Sequence, residues 1–420
     1  MANLFLLVVS IGASLCLGEV SLRVLGYTLP YHPPYYQVPP NYYRSDSNAG
    51  YDIAEKFFGG VFAFPQYLRT YGVEFPISSN SLGCRDRAFV REDGYILLLG
   101  DSVTWGYVGL EETWGTFLEE AAGMRVLKCG VSGYGPRHEL FKLESVVSKA
   151  GPPKLVIVGY TVANDLLDDY LYPGRTVIDG YLVTKVGLVD DRNGERKTYS
   201  EAELKARLRE VLRQPSQEWV DRGKSLLVEH SVLYNQLRMT RGLKALAAKL
   251  GLAEAPTATE VAQVFRPQTF SPRIERAWQE HLGNLLKLRM AVERTGAKLL
   301  VVLLPTPDQV YEFMRPEAVE AQWGYPNERL SGFFAEEGIA YLDLLPEFKR
   351  RARRTGKPIL DPIDDLYWPD DGHLNVKGNQ LTGLLISKYV VDHGLLPGTG
   401  IQHRLMSGEP SLDAQKSSLQ

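Results

Sequence analysis

The sequence predicts an α/β fold, a three-layer sandwich with a central parallel sheet and helices on both faces. Three observations predict it. Short apolar runs recur at residues 96–99, 126–129, 155–160, 298–304 and 340–344, each the length of a strand buried on both faces. Amphipathic stretches at 114–122, 139–149 and 274–294 lie between them, and strand–helix alternation of this kind marks a parallel sheet. The first three runs lead into polar or glycine-rich corners, the edge where open α/β sheets bind ligands.

The elements follow in order. Residues 2–18 are mostly apolar or small, and Glu19 and Arg23 close the run. That is slightly short of the ~20 residues a spanning helix needs, and Val20, Leu22, Val24 and Leu25 extend it into a tilted span. No basic stretch precedes the run and no clear small-x-small cleavage site follows it, which argues against a cleaved signal peptide. The expectation is an uncleaved membrane anchor over 1–27, with the rest of the chain outside the cytoplasm. A cleaved signal and a buried helix of the globular domain are the alternatives.

Residues 28–90 read as an extended linker and a small cap. The stretch 31–41 alternates proline with tyrosine and favours an extended chain laid against the surface. Phe57, Phe58, Phe62, Phe64, Tyr67, Tyr71 and Phe75 crowd the segment 51–76, which suggests a β-rich cap. Residues 91–173 and 273–400 form the two parts of the main domain, ending in a helix over 376–391. Between them, 174–272 interrupts the alternation. It opens with a hairpin over 177–189 around Asp179-Gly180. Ser200-x-x-Glu203 is a capping box that opens a charged helix through Leu212, and a further helical stretch spans 226–250. Insertions at strand ends form lids and set specificity. The polar residues 401–420 read as a disordered tail.

Composition excludes some partners. The 420 residues are 44% hydrophobic and 23% charged, with 47 basic against 50 acidic side chains and a net charge of −3. Such a balance gives nucleic-acid binding no electrostatic support. The basic cluster 349–354 reads as a solvated helix face. Of the three cysteines, Cys16 lies in the apolar run, and a Cys84–Cys129 disulfide forms only where the fold brings the two together. A buried free thiol is the expectation for Cys129. The cysteines therefore leave the compartment open. Asp361, Asp364, Asp365, Asp370 and Asp371 form an acidic cluster whose spacing does not match a calcium loop, so no metal is expected. His138 and His281 lie on or beside predicted helices and read as surface or interface residues.

Chemistry concentrates at two motifs. Gly100-Asp101-Ser102 turns the first apolar run into a helix, which exposes the Ser102 hydroxyl at a strand end and points its N–H into the same crevice. One residue can thus supply a nucleophile and an oxyanion donor. Alone, a serine here is an ordinary turn or cap. The second motif is Trp368-Pro369-Asp370-Asp371-Gly372-His373. Asp370, three residues before His373, is placed to fix the imidazole through Nδ1, leaving Nε2 to take a proton from a serine.

This order of serine, aspartate and histidine resembles the SGNH (GDSL-type) hydrolases, in particular membrane-anchored bacterial SGNH-like esterases and O-acetyltransferases of the cell surface. The resemblance implies an SGNH-like (flavodoxin-like) sandwich and a Ser102–His373–Asp370 triad. It implies an oxyanion hole from the N–H groups of Ser102 and Gly133 and the Asn164 amide. Gly130 is the reserve glycine, and Asp101 and Asp371 are secondary candidates, Asp371 as the alternative partner of His373. Two departures stand out. Val162 occupies the glycine position of the usual Gly-x-Asn-Asp. Lys128 replaces an asparagine at the start of the glycine loop, which threatens a supporting hydrogen bond. Asn80-Ser81-Leu82-Gly83-Cys84-Arg85-Asp86 resembles the lead-in of anchored relatives, where Arg85 either lines the site or forms a structural ion pair.

The activity so implied is two-step acyl transfer through an acyl-Ser102 intermediate, without a cofactor. The substrate class is an O-acyl ester, above all an O-acetyl ester of a cell-surface polysaccharide, with short-chain lipid esters as a further option. The acceptor is water in a hydrolase or a sugar hydroxyl in an O-acetyltransferase, and a non-catalytic glycan-binding scaffold is the alternative from another class. Oligomeric state is not encoded in these features.

Overall fold

The computed structural model describes residues 2–25, 38–64, 73–90, 94–162, 164–190, 195–212, 227, 230–234, 264–265, 267–269, 272–311, 322–352, 365–368 and 372–396. The expectations for 31–37, most of 226–250, Asp361, Asp364, Asp370, Asp371 and the tail 401–420 lie outside these residues.

Helix α1 (Ala2–Val24) comes first. Glu19 accepts hydrogen bonds from Ser231 Oγ and from the N–H groups of Val232 and Leu233, while Val9, Ile11, Leu15, Leu17, Val20 and Val24 are exposed. Among the described residues no helix is long and apolar enough to cross a membrane, so the spanning anchor expected over 1–27 is not among the structure's features. Glu19 interrupts the apolar sequence and is hydrogen-bonded to protein.

Two antiparallel hairpins form the cap: β1 (Tyr43–Asp46) with β2 (Gly50–Ile53), and β3 (Gly60–Phe64) with β4 (Val73–Ile77). Then the sheet begins with β5 (Ile96–Gly100), followed by α2 (Ser102–Trp105), α3 (Trp114–Ala122), β6 (Val126–Lys128), α4 (Pro136–Ala150), β7 (Leu155–Thr161) and α5 (Asn164–Tyr170). The insertion contributes β8 (Arg175–Ile178), β9 (Tyr181–Thr184), β10 (Val186–Asp190), β11 (Glu195–Thr198) and α6 (Glu201–Leu212). The chain returns through α7 (Pro272–Arg294), β12 (Lys298–Leu304), α8 (Pro307–Val310), α9 (Tyr325–Glu336), β13 (Ala340–Asp343), α10 (Leu345–Arg351) and α11 (Val376–Asp392).

All five predicted apolar runs are strands of one sheet, in the order β13-β12-β7-β5-β6, and every pairing is parallel. Alternate residues face opposite layers, as strand geometry requires. Leu97, Leu99, Val156, Val158, Val301 and Leu303 pack with α4, α7 and α9. Ile96, Leu98, Leu155, Ile157, Leu300 and Val302 pack with α3, α10 and α11. Counted from β5, the sheet order is that of flavodoxin-like folds, whose ligands bind beside the first strand, where successive connections diverge to opposite sides. Here that point is the carboxyl edge of β5 and β7.

A third, mostly aromatic core joins the cap to this edge. Tyr42, Tyr43, Tyr51, Phe62 and Phe75 of the cap pack with Trp105, Tyr107, Val131 and Tyr134. The expected hairpin around Asp179-Gly180 is β8–β9, with positive φ at both turn residues, as a two-residue type I′ turn requires. It is shorter than expected, because β10 turns away and pairs with β11. Ser200 and Glu203 bond reciprocally as a capping box.

Several expectations are corrected. Cys129 is not a free thiol: it forms a disulfide with Cys84, across a Cα separation of 4.4 Å. The segment before β5 runs beside β6, where Asp86 accepts from the N–H of Lys128, and so brings the two cysteines together. Lys128 turns away from the glycine loop's chemistry into ion pairs. Its ammonium lies in a buried network with Asp86, Glu119 and Arg125. Arg85 forms no ion pair among the described residues; it donates to the carbonyls of Trp105, Gly106 and Val108 and stacks on Trp105. His138 and His281 are buried rather than surface residues, because α4 and α7 pack them between layers.

Candidate active site

The site is built on one corner. At Gly100, φ is +145°, and a Cβ there would lie 2.6 Å from the Gly159 carbonyl oxygen, so only glycine lets β5 turn so close to β7. Asp101 then caps α2, accepting from the N–H of Val103 at 2.9 Å. The same carboxylate accepts from Thr161 Oγ1 at 2.9 Å and from Asn164 Nδ2 at 2.8 Å. Asp101 is fully buried. Burial raises its carboxyl pKa, and the bonds from Val103, Thr161 and Asn164 pull it down. This secondary candidate is thus a staple between the ends of β5 and β7.

Ser102 follows at the first position of α2, partly exposed. Its Oγ lies 2.7 Å from Nε2 of His373. The two residues are 271 positions apart in sequence, and the end of the chain brings the histidine back across the sheet edge. A bridge between Tyr367 and Leu374 closes that segment, and the Trp368 N–H donates to the His373 carbonyl. The imidazole lies flat on the Tyr107 ring, with centroids 3.6 Å apart and planes 9° apart. The Trp368 indole N–H donates to the Tyr107 carbonyl, so ring and histidine are fixed to each other. Sequence reasoning missed Tyr107; its only signal is an aromatic five residues after the serine. Asp370 and Asp371, the candidates to orient His373, lie outside the described residues.

The oxyanion candidates divide. Gly133 has φ +76°, and a Cβ on it would meet Arg175 Nη1 at 2.8 Å and the Tyr51 hydroxyl at 2.9 Å. The guanidinium and the hydroxyl therefore press against its Cα, where only glycine leaves room. A Cβ on Gly130 would come within 2.6 Å of the Trp105 nitrogen, so this reserve glycine serves the packing of the loop against α2. Asn164 begins α5, but its Nδ2 donates to two carboxylates, Asp101 at 2.8 Å and Asp168 at 3.1 Å. Burial, opposed by Arg175 and reinforced by Asp101 and Asp169, pushes Asp168 up to about 7.

Behind the site runs a second polar chain. Asp169 holds His281 Nδ1 at 2.9 Å, and His281 Nε2 lies 2.7 Å from the Tyr160 hydroxyl. Asn284 and the N–H of Arg137 also donate to Asp169. It joins α5, α7 and β7, and no motif announced it. Among the described residues no group of three or more acidic, histidine or cysteine side chains is arranged to hold a metal ion.

No protein-family model matches the chain, and no curated protein matches it. Solved structures similar to it include a member of the lipolytic protein G-D-S-L family from Veillonella parvula, at 12% identity and TM-score 0.33 over 71% of this chain and 96% of that one. An acetyl xylan esterase matches at 11% identity and TM-score 0.34, over 70% of this chain and 99% of its own. A GDSL-like lipase from Bacteroides thetaiotaomicron matches at 10% identity and TM-score 0.33, over 73% and 91%. Two of the three carry the G-D-S-L name of the family that the motifs resemble. With TM-scores under 0.5, the likeness assigns no residue a role; the roles rest on this chain's own corner, strand order and Ser102–His373 pair.

Proposed function

We propose that the chain is a serine-dependent ester hydrolase. The observation that carries this reading is the 2.7 Å bond between Ser102 Oγ and His373 Nε2 at the ligand-binding edge of the sheet. There His373 removes the hydroxyl proton as Oγ attacks an ester carbonyl, and then protonates the leaving alcohol. The N–H groups of Ser102 and Gly133 face the developing oxyanion, and Asn164 adds a third donor by turning an N–H from Asp168. One well-aimed donor is worth about 10²–10³ in rate. Asp370, or else Asp371, orients the imidazole.

The finer reading is an O-acetyl ester of a cell-surface polysaccharide as substrate, handled outside the cytoplasm by a protein that meets the membrane through α1. The Cys84–Cys129 disulfide supports an oxidising location, and the exposed apolar side chains of α1 support the membrane contact. Transfer to a sugar hydroxyl is the second reading, for which Tyr51 of the cap and Arg175 of the insertion, both set against the glycine loop, could seat an acceptor.

The test is p-nitrophenyl acetate turnover by the full chain beside Ser102→Ala, with mass spectrometry for an acyl-serine. Turnover and a Ser102 adduct that both vanish in the variant are the expected result. A rate that survives Ser102→Ala would overturn the proposal.

A further inference from the structure

Arginines near the site differ in what satisfies them. Both terminal nitrogens of Arg85 donate to backbone carbonyls, and Arg125 pairs with Asp86 and Glu119. Arg175 is different. It opens β8, and Nη1 and Cζ of its guanidinium lie 2.8 and 2.9 Å from where a Cβ on Gly133 would be. Among the described residues no hydrogen bond or ion pair holds that guanidinium, and the side chain is partly exposed. Asp168 and the hydroxyls of Tyr51, Tyr43 and Tyr107 are its electrostatic neighbours. Tyr107 is the ring beneath His373, so the free cation lies between the glycine loop and the histidine's support.

Its position is fixed by the backbone rather than by a partner for its charge. The Arg175 N–H donates to the Pro173 carbonyl. His138, buried in α4, accepts from the Gly135 N–H through Nδ1, with its Nε2 3.4 Å from the same Pro173 carbonyl. Ser45 of the cap donates to Val177 of β8. The insertion thus delivers a cation to the cleft on a seated hairpin and leaves its donors unused.

We propose that Arg175 is a specificity-determining residue that recognises a carboxylate on the ester substrate, as a uronate-bearing glycan would present. This rests on the esterase reading above. A planar guanidinium matches a carboxylate through two parallel hydrogen bonds. Asp168 close by adds negative charge that disfavours a dianion, so a monoanionic carboxylate fits this surrounding better than a phosphate. The group lies beside the reacting centre and takes no part in bond making.

The test uses a matched pair of acetyl esters, 4-acetoxybenzoate and its uncharged methyl ester, with the full-length wild type, Arg175→Gln and Arg175→Lys. The expected result is a wild-type preference in kcat/KM for the carboxylate, carried by KM. Arg175→Gln lowers the ratio of the two kcat/KM values by about ten- to hundredfold, the worth of a charged hydrogen bond, and Arg175→Lys restores part of it. A ratio that Arg175→Gln leaves unchanged overturns the proposal. Binding is read separately in a Ser102→Ala background, with trigalacturonate, its methyl ester and inorganic phosphate as probes. Tighter binding of trigalacturonate that is lost with Arg175→Gln supports the proposal even where no ester turns over, which would count against the esterase reading alone. Equal binding of acid and methyl ester, or a preference for phosphate, overturns it.

Discussion

Two histidines in this molecule make the same kind of hydrogen bond. His373 meets Ser102 Oγ at 2.7 Å, and His281 meets the Tyr160 hydroxyl at 2.7 Å with Asp169 on its other nitrogen. Both are hydroxyl–imidazole pairs, and the second shows its carboxylate as well. Yet His281 and Tyr160 are completely buried, whereas Ser102 and His373 are partly exposed at the edge of the sheet. Burial also drives the Tyr160 hydroxyl pKa far up. Geometry alone therefore does not make a nucleophile. Access and position at the sheet edge are what set the proposed nucleophile apart, and the inner chain is a brace that holds α5, and with it Asn164, in place.

The largest test of this contrast removes one histidine at a time. His373→Ala should lower kcat on p-nitrophenyl acetate by about 10⁴-fold with little change in unfolding. Removing the brace should do the reverse. Asp169→Ala leaves His281 buried without its partner and should cost about 3 kcal/mol in denaturant unfolding, while turnover per folded molecule falls less than about tenfold. A catalytic loss as deep as that of His373→Ala would dissolve the distinction.

A smaller effect is expected from the support of the outer histidine. Tyr107→Leu removes the flat stack on His373 and should lower kcat by about tenfold, the worth of an aromatic pair, with KM unchanged. Equal activity in the two proteins would reduce Tyr107 to packing.

The smallest prediction concerns pH. Asp168, pushed up to about 7, keeps its proton in the fold where the unfolded chain has lost it. The folded state then binds more protons between about 4 and 7, so this group's contribution to stability falls as pH rises through that window. Asp168→Asn should flatten the decline of Tm with pH there. An identical slope in wild type and variant would place the titration elsewhere.

Much of the fold was legible because its signals are local. Five apolar runs became five parallel strands, Asp179-Gly180 became a hairpin turn, and Ser200 and Glu203 became a capping box. The meeting of Ser102 with His373 was legible because each stands in a motif of a known resemblance. What stayed hidden depends on which surfaces meet. Cys84 and Cys129 pair because the segment before β5 runs beside β6, and nothing at either cysteine encodes that path. His138 and His281 sit on polar-looking helices whose packed faces only the assembled layers define. Tyr107 and Arg175 belong to no motif, and their roles come from neighbours far away in sequence.

The seam at residue 90, between cap and main domain, separates two stretches of sequence but not two folding units. The disulfide crosses it, Arg85 grips the carbonyls that follow α2 across it, and the aromatic cap closes over Trp105 and Tyr107. A chain begun at residue 94 would retain every strand of the sheet and lose the mould in which its proposed nucleophile is cast.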